Sequence, residues 1–372
     1  MSEVYAARRA RLRERCAAAG GEAALVCGDA NVRYLAGGAP PGAVLLLGPG
    51  QDGDDALVCV SDPFVDATGA SRPGDELAVL VLPTPEGDPA VAAAERAAER
   101  GVRSLAVEEH HLTVARHRAV RSVAPRLRLG DLGTAVEQQR VVKDDEEIST
   151  LRIAAEIADQ ALGELLESIL VGRTERHLAL ELERRLIDHG ADGAAFPTSV
   201  GAGPHSGRAG HVPTDRRVEE GDFLSVCLGA DYRGYRSEIA RTFVIGASPA
   251  EWQIELYEQV FAAQRAGREA LAPGTAYRDV DRAARVVLEA AGHGERVGPR
   301  IGHGVGLEND EDPRLAPSAM GKLDACVPVT VDPGVHLPGR GGVRIDDTLV
   351  VRPEADGGPE LLTITTKELL AL

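Results

Sequence analysis

Apolar residues recur along this chain at two different spacings, and the change between them divides it in two. Through the first 130 positions short apolar runs alternate with helical stretches. Residues 5–19 read as an Ala/Arg/Leu helix. AALVC (23–27), GAVLLLG (42–48), DALVCVSD (55–62) and ELAVLVLP (76–83) read as strands, being short apolar runs bounded by turn residues. VRYLAG (32–37) reads as one more short element after a turn at Asp29-Ala30-Asn31. An Ala/Glu/Arg helix over 88–100 leads into a strand at SLAVEE (104–109). Strands alternating with helices predict an α/β layered domain.

From residue 131 the texture changes. Ile148, Leu151, Ile153, Ala155, Ile157, Ala161 and Leu165 follow a helical period, and the acidic cluster Asp144–Glu147 suits the first turn of that helix, where the dipole favours negative charge. The expected division is therefore 1–136 and 137–372. A second helix is expected from Thr174 to His189, strand-and-turn texture over 195–246, and helices over 249–271 and 275–291. Pro273-Gly274 and Gly292 end the last two. Helices followed by strands, twice over, suit a pseudo-symmetric α+β domain. At 372 residues the chain exceeds the roughly 250–300 that one core supports, which agrees with two domains.

The net charge of −17 argues against a nucleic-acid partner, which needs clustered Lys and Arg. The five cysteines, Cys16, Cys27, Cys59, Cys227 and Cys326, are odd in number and lack CxxC spacing, so reduced thiols are expected. The charged N-terminal stretch has no apolar signal-peptide core, and no run of 18 apolar residues occurs. Together these predict a cytoplasmic protein that does not span a membrane. An Ala-, Arg- and Gly-rich composition hints at a GC-rich genome and, with the altered site described below, at specialised biosynthesis.

Three segments carry polar residues in site-like settings. SVCLGADYRGYRSEIARTF (225–243) reads as a hairpin with a thiol, Cys227, and a long carboxylate, Glu238. IGHGVGLENDEDP (301–313) sets His303 between glycines that permit close backbone approach. VTVDPGVHLPGRGGVRIDD (329–347) carries Asp332 at a strand end, then His336, Arg344 and Asp346. Each has a plainer reading alone: His303 as a satisfied structural group, Asp332 as a turn former, Cys227 as a small hydrophobe.

Taken together, with DANVRYLAG, VEQQRVVKDDEEISTLRIAAEIAD, GAAFPTSVGAGP and PGTAYRDVDRAAR in the same order, these segments resemble the creatinase, aminopeptidase P and prolidase family over almost the whole chain. The resemblance implies an N-terminal α/β domain followed by a pita-bread α+β catalytic domain, assembled as a homodimer. The family's peptidases hold two divalent ions with Asp, Asp, His, Glu and Glu. Those positions fall here on Cys227, Glu238, His303, Asp332 and Asp346, so only the histidine keeps its identity. The family's proton-shuttling His falls on Gly210, with His211 one position later, and a substrate-facing His falls on Asp310. Glu311 is kept, the aromatic after Glu-Pro-Gly becomes His336, and Tyr235, Arg241 and Arg344 match family positions.

One methylene more or less moves a carboxylate by about 1.5 Å, and a thiol does not replace a hard bidentate carboxylate for manganese or magnesium. The leading expectation is thus a divergent enzyme of this family with no metal cofactor. Its catalytic set is His303, Glu238, Asp332, Asp346 and His211, and Cys227, Tyr235, Asp310, His336 and Arg344 face the substrate. It would act by acid/base chemistry on a C–N or adjacent bond of a small amino-acid-like, amine or guanidine substrate. Hydrolysis is the default, with elimination, cyclisation or isomerisation open. The alternatives are an Xaa-Pro dipeptidase with one divalent ion on Glu238, His303, Asp332 and Asp346, and a silent peptide- or amine-binding protein.

Overall fold

The structure, a computed structural model, describes residues 2–50, 55–60, 77–82, 87–168 and 170–372. Residues up to Arg140 form one compact unit and Val141–Leu372 a second. The first contains α1 (Ser2–Ala18), β1 (Ala23–Val26), α2 (Asp29–Ala36), β2 (Val44–Leu47), β3 (Ala56–Cys59) and β4 (Ala78–Val81). It continues with α3 (Pro89–Glu99), β5 (Ser104–Val107), α4 (Val114–Val123), β6 (Arg128–Asp131) and α5 (Ala135–Arg140). The described strands form one mixed sheet in the order β4-β3-β2-β1-β5-β6. Leu25, Val44, Val58, Leu105 and Val107 pack there against the alanine face of α3.

Several elements differ from expectation. Asp29-Ala30-Asn31 is the first turn of α2 rather than a loop, and Gly37 closes that helix at φ 81°. α4 and β6 lack a strong apolar period and were not anticipated. The ends of the expected strands at 55–62 and 76–83 reach outside the described residues. The division falls after Arg140 rather than after 136, because the buried Arg140 donates from Nη1 to Asn31 Oδ1 at 2.6 Å, tying the end of α5 to α2.

The second unit opens with α6 (Asp145–Leu166) and α7 (Glu175–Asp188). α6 begins in a capping box, Asp144 accepting from Glu147 N while Glu147 accepts from Asp144 N. The strands β7 (Gly193–Ala194), β8 (Ser199–Ala202), β9 (Phe223–Leu228), β10 (Ala230–Tyr232), β11 (Tyr235–Arg236) and β12 (Ile239–Val244) follow. After them come α8 (Glu251–Glu269) and α9 (Tyr277–Ala290), then β13 (Gly302–Gly304), β14 (Glu311–Leu315), β15 (Pro328–Val331), β16 (Gly334–Leu337), β17 (Gly341–Arg344), β18 (Asp347–Val350) and β19 (Glu360–Leu361). Helix pair and antiparallel strands thus occur twice, and each helix pair covers its own core.

This arrangement fixes where the site lies. Leu224, Val226, Leu228, Ile239 and Phe243 pack on α6 and α7. Strand side chains alternate faces, and Cys227 pairs with Ala240, so Cys227 and Glu238 share the opposite face. Asp332 follows the end of β15, Asp346 precedes β18 and bridges to Ala240, and Arg344 ends β17. All five cysteines are free thiols. No helix among the described residues is long and apolar enough to cross a membrane.

Candidate active site

Arg344 stands at the meeting point of three carboxylates. Its Nη2 donates to Glu238 Oε1 at 2.6 Å, Asp346 Oδ2 at 3.1 Å and Asp332 Oδ2 at 3.2 Å. His303 Nε2 lies 3.4 Å from Glu238 Oε2, and the Cys227 thiol donates to Glu238 Oε1 at 3.6 Å. The three segments singled out in the sequence therefore do converge. The second oxygens of Asp332 and Asp346, Oδ1 in each, are buried and accept no hydrogen bond from the described residues.

Each group is held from behind. Thr348 Oγ1 donates to Glu238 O and accepts from Glu238 N. The fully buried Arg241 donates to Asp346 O and forms an ion pair with Asp347 at 2.7 Å, which fixes the backbone that carries Asp346. The glycines around His303 are required by close approach: a Cβ on Gly302 would lie 2.2 Å from Thr330 O, and one on Gly304 2.3 Å from Asp312 O. His303 Nδ1 donates to Gly304 O at 3.0 Å. A carbonyl only accepts, so the Nδ1–H is fixed and Nε2 is directed at Glu238.

The electrostatics follow from this geometry. Burial pushes Glu238 upward, but Arg344 and His303 outweigh it and bring its pKa below the usual carboxylate range. Burial, reinforced by the Glu238 charge, pushes Asp346 well up. Asp332 is also raised, by burial, against the pull of Arg344 and His303. Burial would lower His303, yet its contact with Glu238 leaves the pKa raised. The Cys227 thiol is raised well above normal by burial. The centre is thus a Glu238 carboxylate and an Arg344 guanidinium flanked by two acids driven toward their neutral form.

The other expected residues separate. His211 Nε2 pairs with Glu175 Oε2 at 2.9 Å instead of joining His303. Tyr235 gives its hydroxyl to Glu147 Oε1 on α6, and Asp310 forms an ion pair with Arg300 at 2.7 Å. Neither is placed on the carboxylate cluster by these bonds. His336 lies across β16 and β17 on the same face as Arg344, donates from Nδ1 to Ser206 O, and is lowered in pKa by burial. Asn309, which the sequence reading passed over, donates from Nδ2 to Glu238 Oε2 at 3.3 Å. Its position beside the altered Asp310 was the only available signal.

Three groups place metal-ligating atoms within 4.8 Å of one another among the described residues: Cys227, Glu238 and Asp346; Glu175, His205 and His211; and His110, His111 and Glu137. The first lies inside the cluster just described.

Comparison with known proteins agrees with this architecture. The sequence pattern of metallopeptidase family M24 matches residues 149–353, and that of the creatinase/prolidase N-terminal domain matches residues 8–142. The chain belongs to metallopeptidase family M24. Its second unit is accordingly the pita-bread domain. The Xaa-Pro dipeptidase of Pyrococcus furiosus is 38% identical over 235 residues, 63% of this chain and 66% of that protein. The uncharacterized peptidase YqhT of Bacillus subtilis is 30% identical over 94% of this chain and 95% of its own length. The Xaa-Pro dipeptidase structure from Bacillus anthracis superposes with a TM-score of 0.90 at 31% identity, covering 99% of this chain and all of that one. The prolidase structure from Pyrococcus horikoshii gives 0.86 at 29% identity over 98% and 99%. These M24 relatives are named as peptidases. They favour the Xaa-Pro peptidase alternative over the divergent reading, and hydrolysis over elimination, cyclisation or isomerisation.

Proposed function

We propose that this chain hydrolyses the C–N bond of a short, peptide-like substrate, using Glu238, His303 and Arg344 at the positions where the family's peptidases are expected to hold two divalent ions. The single observation that carries this reading is Arg344 Nη2, hydrogen-bonded at once to Glu238, Asp332 and Asp346. A guanidinium at the common point of three carboxylates takes the position and the charge role of a cation. Two divalent ions would bring four positive charges beside it, and Cys227, a buried thiol donating to Glu238, offers no anionic ligand for the second. The dinuclear set does not fit these residues.

The chain's own groups supply the steps of an amide hydrolysis. His303 Nε2 takes the proton of the attacking water while the hydroxyl adds to the carbonyl carbon. Glu238 stabilises the imidazolium so formed. In this reading the Arg344 guanidinium supplies N–H donors to the developing oxyanion. His303 then returns its proton to the leaving nitrogen as the C–N bond breaks, which restores the neutral imidazole.

A second reading rests on the unpartnered Oδ1 atoms of Asp332 and Asp346. With Glu238 and His303 they could hold one divalent ion, which would polarise the carbonyl and activate water. Assay of a panel of Xaa-Pro dipeptides and simple N-acyl amides, before and after exhaustive chelation, separates the two. Turnover that survives chelation supports the first. Turnover lost on chelation and restored by Mn2+ supports the second. No turnover of any amide, with the panel bound intact, would overturn both in favour of a binding protein.

A further inference from the structure

Away from the carboxylate cluster, Glu175 gathers two histidines. Its side chain, at the first turn of α7, has no exposed surface. Oε1 accepts from Ala202 N at 2.8 Å and meets His205 Nδ1 at 2.9 Å. Oε2 accepts from Thr214 N at 2.9 Å and Thr214 Oγ1 at 2.7 Å, and meets His211 Nε2 at 2.9 Å. The two rings lie 4.6 Å apart, tilted by 42°.

Ala202 N, Thr214 N and Thr214 Oγ1 already occupy three of the roughly four acceptor sites of this carboxylate, so two imidazoles aimed at it exceed what a buried acid needs. We infer that Glu175, His205 and His211 form a binding site for one divalent transition-metal ion of the zinc or cobalt class, separate from the catalytic cluster. The donor set is two imidazole nitrogens and one carboxylate, which suits such ions rather than magnesium or calcium. Tetrahedral ligands about 2.1 Å from zinc stand about 3.4 Å from one another. The ligand atoms of the three residues already lie within 4.8 Å of one another, so closing on an ion calls for side-chain shifts on the order of an ångström or less. Each histidine bound to the ion would carry its remaining proton on the opposite ring nitrogen. Ala202 N and the Thr214 donors remain in place and orient the carboxylate, as outer partners do at metal sites.

The site has a consequence for the wall of the active cleft. Ser206, next to His205, accepts from His336 through its carbonyl and from Gly342 N through Oγ, so the ion would brace the loop that seats β16 and β17.

The test is Co2+ and Zn2+ binding by the full chain, read by elemental analysis and visible spectroscopy. One ion per chain is expected, with a Co2+ spectrum lacking a thiolate charge-transfer band. Binding should persist in E238Q and in H110N/H111N, and disappear in H205N/H211N. No uptake, a thiolate band that places the ion on Cys227, loss in E238Q or H110N/H111N, or unchanged binding in H205N/H211N would each overturn the inference. If H205N/H211N does not fold, the wild-type spectrum and the other two variants still decide it.

Discussion

Replacing Arg344 with methionine removes the side chain that donates to Asp332 and Asp346 and one of those that hold Glu238. The stem volume is largely kept, so the change isolates the charge. Three charge-assisted hydrogen bonds at about 1.5–3 kcal/mol each set an upper limit of roughly 5–9 kcal/mol. Two of the three acids can protonate, which lowers the loss toward the roughly 3–5 kcal/mol typical of a broken buried ion pair. With a urea m-value of about 3 kcal/mol/M, the unfolding midpoint should fall by roughly 1–1.7 M at neutral pH. The deficit should shrink as pH is lowered, because protonated carboxyls no longer need a cation. Adding E238Q to R344M should recover part of the loss, since it removes one of the stranded charges. R344M should also bind Mn2+ more tightly than the wild type, because the ion now meets three carboxylates with no guanidinium among them. An unchanged midpoint together with unchanged Mn2+ affinity would refute the placement of Arg344 as the cluster's cation.

Further outcomes follow from the same geometry. The acid limb of kcat/KM should have its midpoint above the ordinary histidine value of 6.5, because Glu238 raises His303 and the base form appears only at higher pH; E238Q should move that limb downward, and a limb that does not move removes His303 from the role. Glu175, held near pKa 2 against 4.5, stabilises the fold fully above pH 4.5 and less as pH falls toward 2. By the usual conversion that shift corresponds to about 3 kcal/mol, so E175Q should lose stability of that order at pH 7 and flatten the acid side of the stability curve. C227A should keep at least a tenth of wild-type kcat, as expected of a protonated buried thiol rather than a nucleophile; inactivation by iodoacetamide at Cys227, identified by mass spectrometry, would argue the reverse.

Local pattern alone was enough to place most of the architecture. The runs at 23–27 and 42–48 and the helical period from Ile148 to Leu165 depend on neighbours a few positions away, so period and turn residues reveal them. The polar segments around Cys227, Glu238, His303, Asp332 and Asp346 were also legible, because their order matched that of a family. What the chain could not disclose was how those residues divide their charge. Glu238 and Arg344 are 106 positions apart, and only the β9–β12 and β16–β17 hairpins bring them to 2.6 Å. That contact makes Glu238 the carboxylate that stays ionised, and leaves Asp346 to be pushed toward its neutral form. The same limit applies to His211, whose neighbours in sequence suggested a role beside His303 but whose ring nitrogen is bound to Glu175. Residue identity decides which groups can titrate; distances of a few ångströms between segments far apart in the chain decide which of them do.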